Sequence, residues 1–150
     1  NARLMAGVYA SRGLSALVFR GANTGLDELT TTDANQVWLV SGGAVVETEF
    51  DARESLGMAS ASIEDLAGGE AAENAAVARD VLSGGGADAV RDAVALNVGA
   101  GILAWEGLEN PVTRSDFEPR MRGAVERALA ALADGSGARL IERWVAASNA

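Results

Sequence analysis

The chain has no cysteine, no histidine and no lysine, so all 12 of its basic residues are arginine. Without Cys and His it lacks the usual ligands of structural zinc, any thiol nucleophile and the commonest near-neutral base. Without Lys it can form neither a Schiff base nor a P-loop phosphate clamp. No apolar run approaches the ~20 residues needed to cross a bilayer, and no charged-then-apolar signal opens the chain. These features lead to the expectation of a cytoplasmic protein without a membrane partner. Aromatics are only 5% of the residues, too few for a base-stacking platform. Acidic residues outnumber basic ones 21 to 12, a net charge of −9, which counts against binding a phosphate polymer. What remains is carboxylate, hydroxyl, arginine and backbone chemistry, in a chain of 150 residues that suits one domain over 1–150.

Leu4, Met5, Val8 and Tyr9 recur at helical spacing, with Gly13 as a stop. Leu14 to Phe19 is a short apolar run without alternation, the pattern of a strand covered on both faces in a parallel sheet. Residues 20–33 form its polar exit loop. Gln36 to Val40 and Ala44 to Phe50, joined through Ser41-Gly42-Gly43, read as a hairpin with one wet face, Val46, Thr48 and Phe50 alternating against Val45, Glu47 and Glu49. Beyond Ser62 the chain turns Ala-rich and helical. A Ser62/Asp65 box opens it, and a helix follows the Gly68-Gly69 break from about Glu70 to Leu82. Val90, Val94, Val98, Ile102 and Trp105 form an i, i+4 ladder that predicts a long helix with that stripe buried. A Ser115/Glu118 box with Pro119 in the first turn starts the next helix, and Leu140, Ile141, Trp144 and Val145 mark the last. The expectation is an α/β fold: part of a mostly parallel sheet with a hairpin, flanked by about five helices. Three strands are few for that helical mass, so the sheet is expected to be incomplete.

Asp27 and Glu28 are adjacent carboxylates in the loop after the first strand, where open α/β sheets bind ligands. Such a pair can hold Mg²⁺, which takes one or two carboxylates together with phosphate and water oxygens; a solvated acidic turn has the same spacing. Thr30 to Thr32 suit capping or strand lead-in better than phosphate binding. The Gly68-Gly69-Glu70 turn could offer amides to an anion, but its acidic residues fit an ordinary helix start. Arg91, Asp92 and Asn97 look like a hydrogen-bonding set that fixes a loop against the long helix. Trp38, Trp105 and Trp144 read as core and interface material.

Three segments in this order and spacing, GLDE at 25–28, LAGGEAAENA at 66–75 and AVRDAVALN at 89–97, resemble anthranilate phosphoribosyltransferase over nearly the whole chain. The resemblance implies the C-terminal half of that family's large α/β domain, of the nucleoside phosphorylase/phosphoribosyltransferase type. It implies transfer of phosphoribosyl from phosphoribosyl pyrophosphate to anthranilate in tryptophan biosynthesis, with Mg²⁺ as cofactor, Asp27 and Glu28 as its ligands, and a homodimeric parent. The family's GTGGD phosphate loop, its KHGN segment and its anthranilate-binding arginine have no equivalent here, so the chain alone is expected to be inactive. Arg20-Gly21 stands where the family has His-Gly, and Glu70 where it commonly has Asp. A non-catalytic binding module of the same fold, for a small ligand or nucleic acid, and a self-associating structural piece are the alternatives.

Overall fold

Strand β1 (Ala16–Gly21) is covered on both faces, and its side chains sort by the period-two rule. Ala16 and Val18 pack with Trp38, Val40 and Ala6 beneath helix α1 (Ala2–Ser11), while Leu17 and Phe19 face the main core. The computed structural model describes all residues from Asn1 to Ala150. β1 pairs with β2 (Asn35–Ser41), and β2 with β3 (Ala44–Phe50), in the order β1-β2-β3.

Both pairings are antiparallel, which corrects the parallel expectation. A strand buried on two faces is apolar on both whichever way its neighbour runs, so the LSALVF run carries no direction. The informative feature was the connection. Residues 22–34 contain no helix, and a parallel return needs a crossover that usually holds one. The hairpin is as expected: Ser41 pairs with Ala44 across Gly42 and Gly43, both at positive φ, as a two-residue primed turn requires. Val46, Thr48 and Phe50 point inward, and Val45, Glu47 and Glu49 are exposed.

Six α-helices stand where about five were expected, the extra one being the single turn α2 (Ala52–Leu56), capped by the Asp51 carboxylate. The Ser62/Asp65 box forms, but around a 3₁₀ turn at Glu64–Leu66. Helices α3 (Ala71–Leu82), α4 (Asp88–Glu106), α5 (Arg114–Ala133) and α6 (Ser136–Ser148) follow.

The core lies between the sheet and the α4–α5 pair, and it is built on a different face of α4 from the one expected. Ala95, Leu96, Gly99, Ala100 and Leu103 are buried, while Val98 and Trp105 are exposed and Val90, Val94 and Ile102 only half-buried. Small residues decide this. A Cβ on Gly99 would stand 2.9 Å from Val125 Cγ2 and 3.3 Å from the Val125 nitrogen, so α5 approaches where α4 has least side chain. Helix α5 starts two residues early, with Thr113 and Asp116 as the box in place of Ser115 and Glu118, which puts Pro119 in the second turn. Phe117 then meets Phe50 edge-on, with ring centroids 5.4 Å apart. On α6 nothing is buried, and Leu140 and Trp144 are largely exposed.

Candidate metal centre

The loop carrying Asp27 and Glu28 leaves the C-terminal end of β1 and is closed at its neck by Ala22 N–H donating to the Ala34 carbonyl at 2.8 Å. Gly21 N–H donates to the Leu26 carbonyl at 2.7 Å, folding the loop tip back. Asp33 fills the neck and is only 8% exposed. Its Oδ2 accepts the Asn23 N–H at 2.6 Å and the Thr24 N–H at 3.0 Å, and its Oδ1 accepts the Thr24 hydroxyl at 3.1 Å. Burial alone would raise the Asp33 pKa, but these donors, with the Thr32 hydroxyl, hold it below the ordinary 3.8. Gly21 is required here, because a Cβ would collide with Thr24 Oγ1 and reach 3.0 Å from Asp33 Oδ1.

The far side of the loop is held by two asparagines. Asn97 of α4 accepts the Leu29 N–H at 3.1 Å and donates to the Leu29 carbonyl at 2.9 Å and the Ala93 carbonyl at 2.8 Å. Asn35, fully buried at the start of β2, donates to the Thr30 carbonyl at 3.0 Å and accepts the Thr30 N–H at 3.4 Å. Asn97 fixes a loop against the helix as expected. Arg91 and Asp92 do not take part: Arg91 pairs with Asp88 at 2.9 Å, and burial raises the Asp92 pKa. Thr30 and Thr31 are buried, and the Thr30 and Thr32 hydroxyls bond each other at 2.7 Å, a lead-in to β2.

Between the two anchors, Asp27 and Glu28 are exposed, and neither carboxylate accepts a hydrogen bond or enters an ion pair. Asp27 borders a cleft of about 420 Å³ beside Tyr9, Phe19 and Arg20. Glu28 borders one of about 530 Å³ beside Leu26, Val94 and Asn97. The neighbours in sequence therefore serve different clefts. No group of three or more acidic side chains is placed so that together they could hold a metal ion. The donor set fits Mg²⁺ all the same: two free hard oxygen ligands, one to each cleft, suit one or two ions that keep most of their water or phosphate ligands.

The other anion candidate is closed from within. Gly69 N–H donates to Asn74 Oδ1 at 2.8 Å and Glu70 N–H to Glu73 Oε2 at 2.9 Å, so the two turn amides that precede α3 are already taken. The sequence reading missed Asp33 and Asn35. Their signal was an Asp and an Asn bracketing the strand entry, residue types that turn back onto backbone groups.

The family model described as glycosyl transferase family, a/b domain, matches residues 2–138. A protein of Arthrobacter sp. named anthranilate phosphoribosyltransferase is 48% identical over 97% of this chain and 39% of its own length. One of the same name from Nocardia farcinica is 45% identical over 97% of the chain and 42% of its own. The chain thus spans about two fifths of the curated relatives it matches. The crystal structure of anthranilate phosphoribosyltransferase from Thermus thermophilus superposes with a TM-score of 0.79 at 34% identity, over 99% of this chain and 40% of that one. The Saccharomyces cerevisiae enzyme in complex with 4-fluoroanthranilate shares the fold, with a TM-score of 0.68 at 17% identity over 85% of this chain and 34% of that one. No helix is long and apolar enough to cross a membrane. The resemblance carried by the three sequence segments therefore extends over the whole fold, and the chain belongs to the glycosyl transferase family, within its a/b domain.

Proposed function

We propose that this chain supplies the metal-holding carboxylates of an anthranilate phosphoribosyltransferase. In the reaction, the bond from the anomeric carbon of phosphoribosyl pyrophosphate to pyrophosphate breaks, and its electron pair leaves with pyrophosphate. The anthranilate nitrogen bonds to that carbon and gives up a proton. The observation that supports this is the pair Asp27–Glu28, unpaired and exposed on a loop braced on both sides at the end of β1. Asp27 and Glu28 would hold Mg²⁺, which when bound offsets the charge developing on the departing pyrophosphate.

The chain's own contribution is geometric. Asp33 and the asparagines fix the loop, and Asp27 and Glu28 offer their oxygens without first breaking another contact. The remaining parts, a phosphate cradle and an anthranilate pocket, have no counterpart among these 150 residues. The reading carries with it a homodimer and a cytoplasmic location for the complete protein, both properties of the family that the motifs resemble.

Two assays test it. In a complete protein carrying this sequence, Asp27→Asn with Glu28→Gln lowers kcat and raises the Mg²⁺ concentration needed for half-maximal rate; an unchanged Mg²⁺ dependence refutes the assignment. The 150-residue chain alone forms no phosphoribosylanthranilate, and detectable product refutes the division of labour.

A further inference from the structure

We propose that Asn97 and Asn35 are positioning residues for Asp27 and Glu28, acting as a side-chain substitute for a missing strand partner. The inference rests on the metal reading above and deepens it. Each amide engages both the N–H and the C=O of one residue, and the two residues are consecutive: Asn97 takes Leu29 and Asn35 takes Thr30. Leu29 and Thr30 are buried, at 0% and 2% exposure, and they belong to no strand. Their two N–H and two C=O groups would otherwise lie buried without a ladder.

Only an amide side chain can do this, because it carries a donor and an acceptor side by side, whereas a carboxylate has no donor. The third bond of Asn97, to the Ala93 carbonyl at 2.8 Å, orients the amide so that its oxygen faces the Leu29 N–H. The peptide that links Glu28 to Leu29 is therefore fixed to α4 from 68 positions along the chain, and Asp33 fixes Asn23 and Thr24 on the other side. Only residues 25–28 lie between the anchors. The carboxylates are thereby preorganised, which raises metal affinity because less of it is lost to ordering the loop.

Groups bonded directly to metal ligands typically matter about 10–100-fold to metal affinity; the asparagines act one peptide further out, which puts the expected effect at the lower end. The test uses this 150-residue chain with Mn²⁺ as the probe. Paramagnetic broadening of the amide signals of residues 25–29 reports affinity, and hydrogen exchange at Leu29 reports the clamp. Asn97→Asp and Asn97→Ser are both made, so that a folding failure in one leaves the other; Leu103→Ala, a core change in the same helix, serves as the stability control. The expected result is faster Leu29 exchange and about tenfold weaker Mn²⁺ binding in the Asn97 variants, with Leu103→Ala lowering Tm but leaving Mn²⁺ affinity of the folded molecules unchanged. Fast Leu29 exchange with wild-type Mn²⁺ affinity overturns the proposal and leaves the metal reading standing, as does an equal loss in Leu103→Ala. Wild-type broadening in the Asp27→Asn, Glu28→Gln double variant overturns the metal reading itself, and the positioning role falls with it.

Discussion

Replacing Asp33 by Asn should loosen the neck of the Asp27–Glu28 loop by an amount that depends on pH in a defined direction. The side chain keeps its shape, and its amide oxygen can still accept the Asn23 and Thr24 N–H groups now bonded at 2.6 and 3.0 Å. The new NH₂ would face the Thr24 and Thr32 hydroxyls, which can rotate to accept. What is lost is charge. Hydrogen bonds to a charged group contribute about 1.5–3 kcal/mol and neutral ones about 0.5–1.5, so two bonds that weaken by roughly 1 kcal/mol each put the cost near 2 kcal/mol.

Because the folded pKa of Asp33 lies below its ordinary 3.8, folding stabilises the charged form. That contribution is present in full above the unfolded value and is lost as pH falls through the folded one. Urea denaturation of both proteins from pH 7 down to pH 2.5 should show a constant gap of about 2 kcal/mol until roughly pH 4.5, then a narrowing gap below it. Asp51, whose pKa is lowered mainly by the Arg53 guanidinium, titrates in both proteins and cancels in the difference. A gap of the same size at pH 7 and pH 2.5 would refute the claim that ionised Asp33 holds the neck, and so would no gap at all.

Three further outcomes follow from the packing. Gly21→Ala must displace Thr24 Oγ1 and crowd Asp33 Oδ1, so it should cost about 1–3 kcal/mol; in a double-mutant cycle with Asp33→Asn the two losses should not add. Two glycines of α4 should respond with opposite signs in thermal melts. Gly99→Ala pushes on Val125 and Met121 and should destabilise by about 1–3 kcal/mol, whereas Gly101→Ala meets nothing within 4 Å and should stabilise by about 0.5–1 kcal/mol. Phe117→Ala removes a side chain only 1% exposed together with its edge contact to Phe50, and should cost about 3–5 kcal/mol in chemical denaturation.

The sequence by itself determined what depends on local chemistry. Val45, Glu47 and Glu49 set the wet face of the hairpin by strict alternation, and Gly42-Gly43 set its turn because only such residues take two positive φ values cheaply. The order of GLDE, LAGGEAAENA and AVRDAVALN pointed to the family, and through that resemblance to Asp27 and Glu28 as candidate ligands. Strand direction was decided only in three dimensions, since a doubly covered strand is apolar on both faces in either orientation. So was the buried face of α4. Valines at i, i+4 and a track of Ala and Gly both run along one side of a helix, and the close approach of Val125 and Met121 selects the track with room for them. The brace around the Asp27–Glu28 loop was decided there too. Asn97 meets Leu29 across 68 positions, and no local pattern encodes a hydrogen bond between groups that only folding brings within reach.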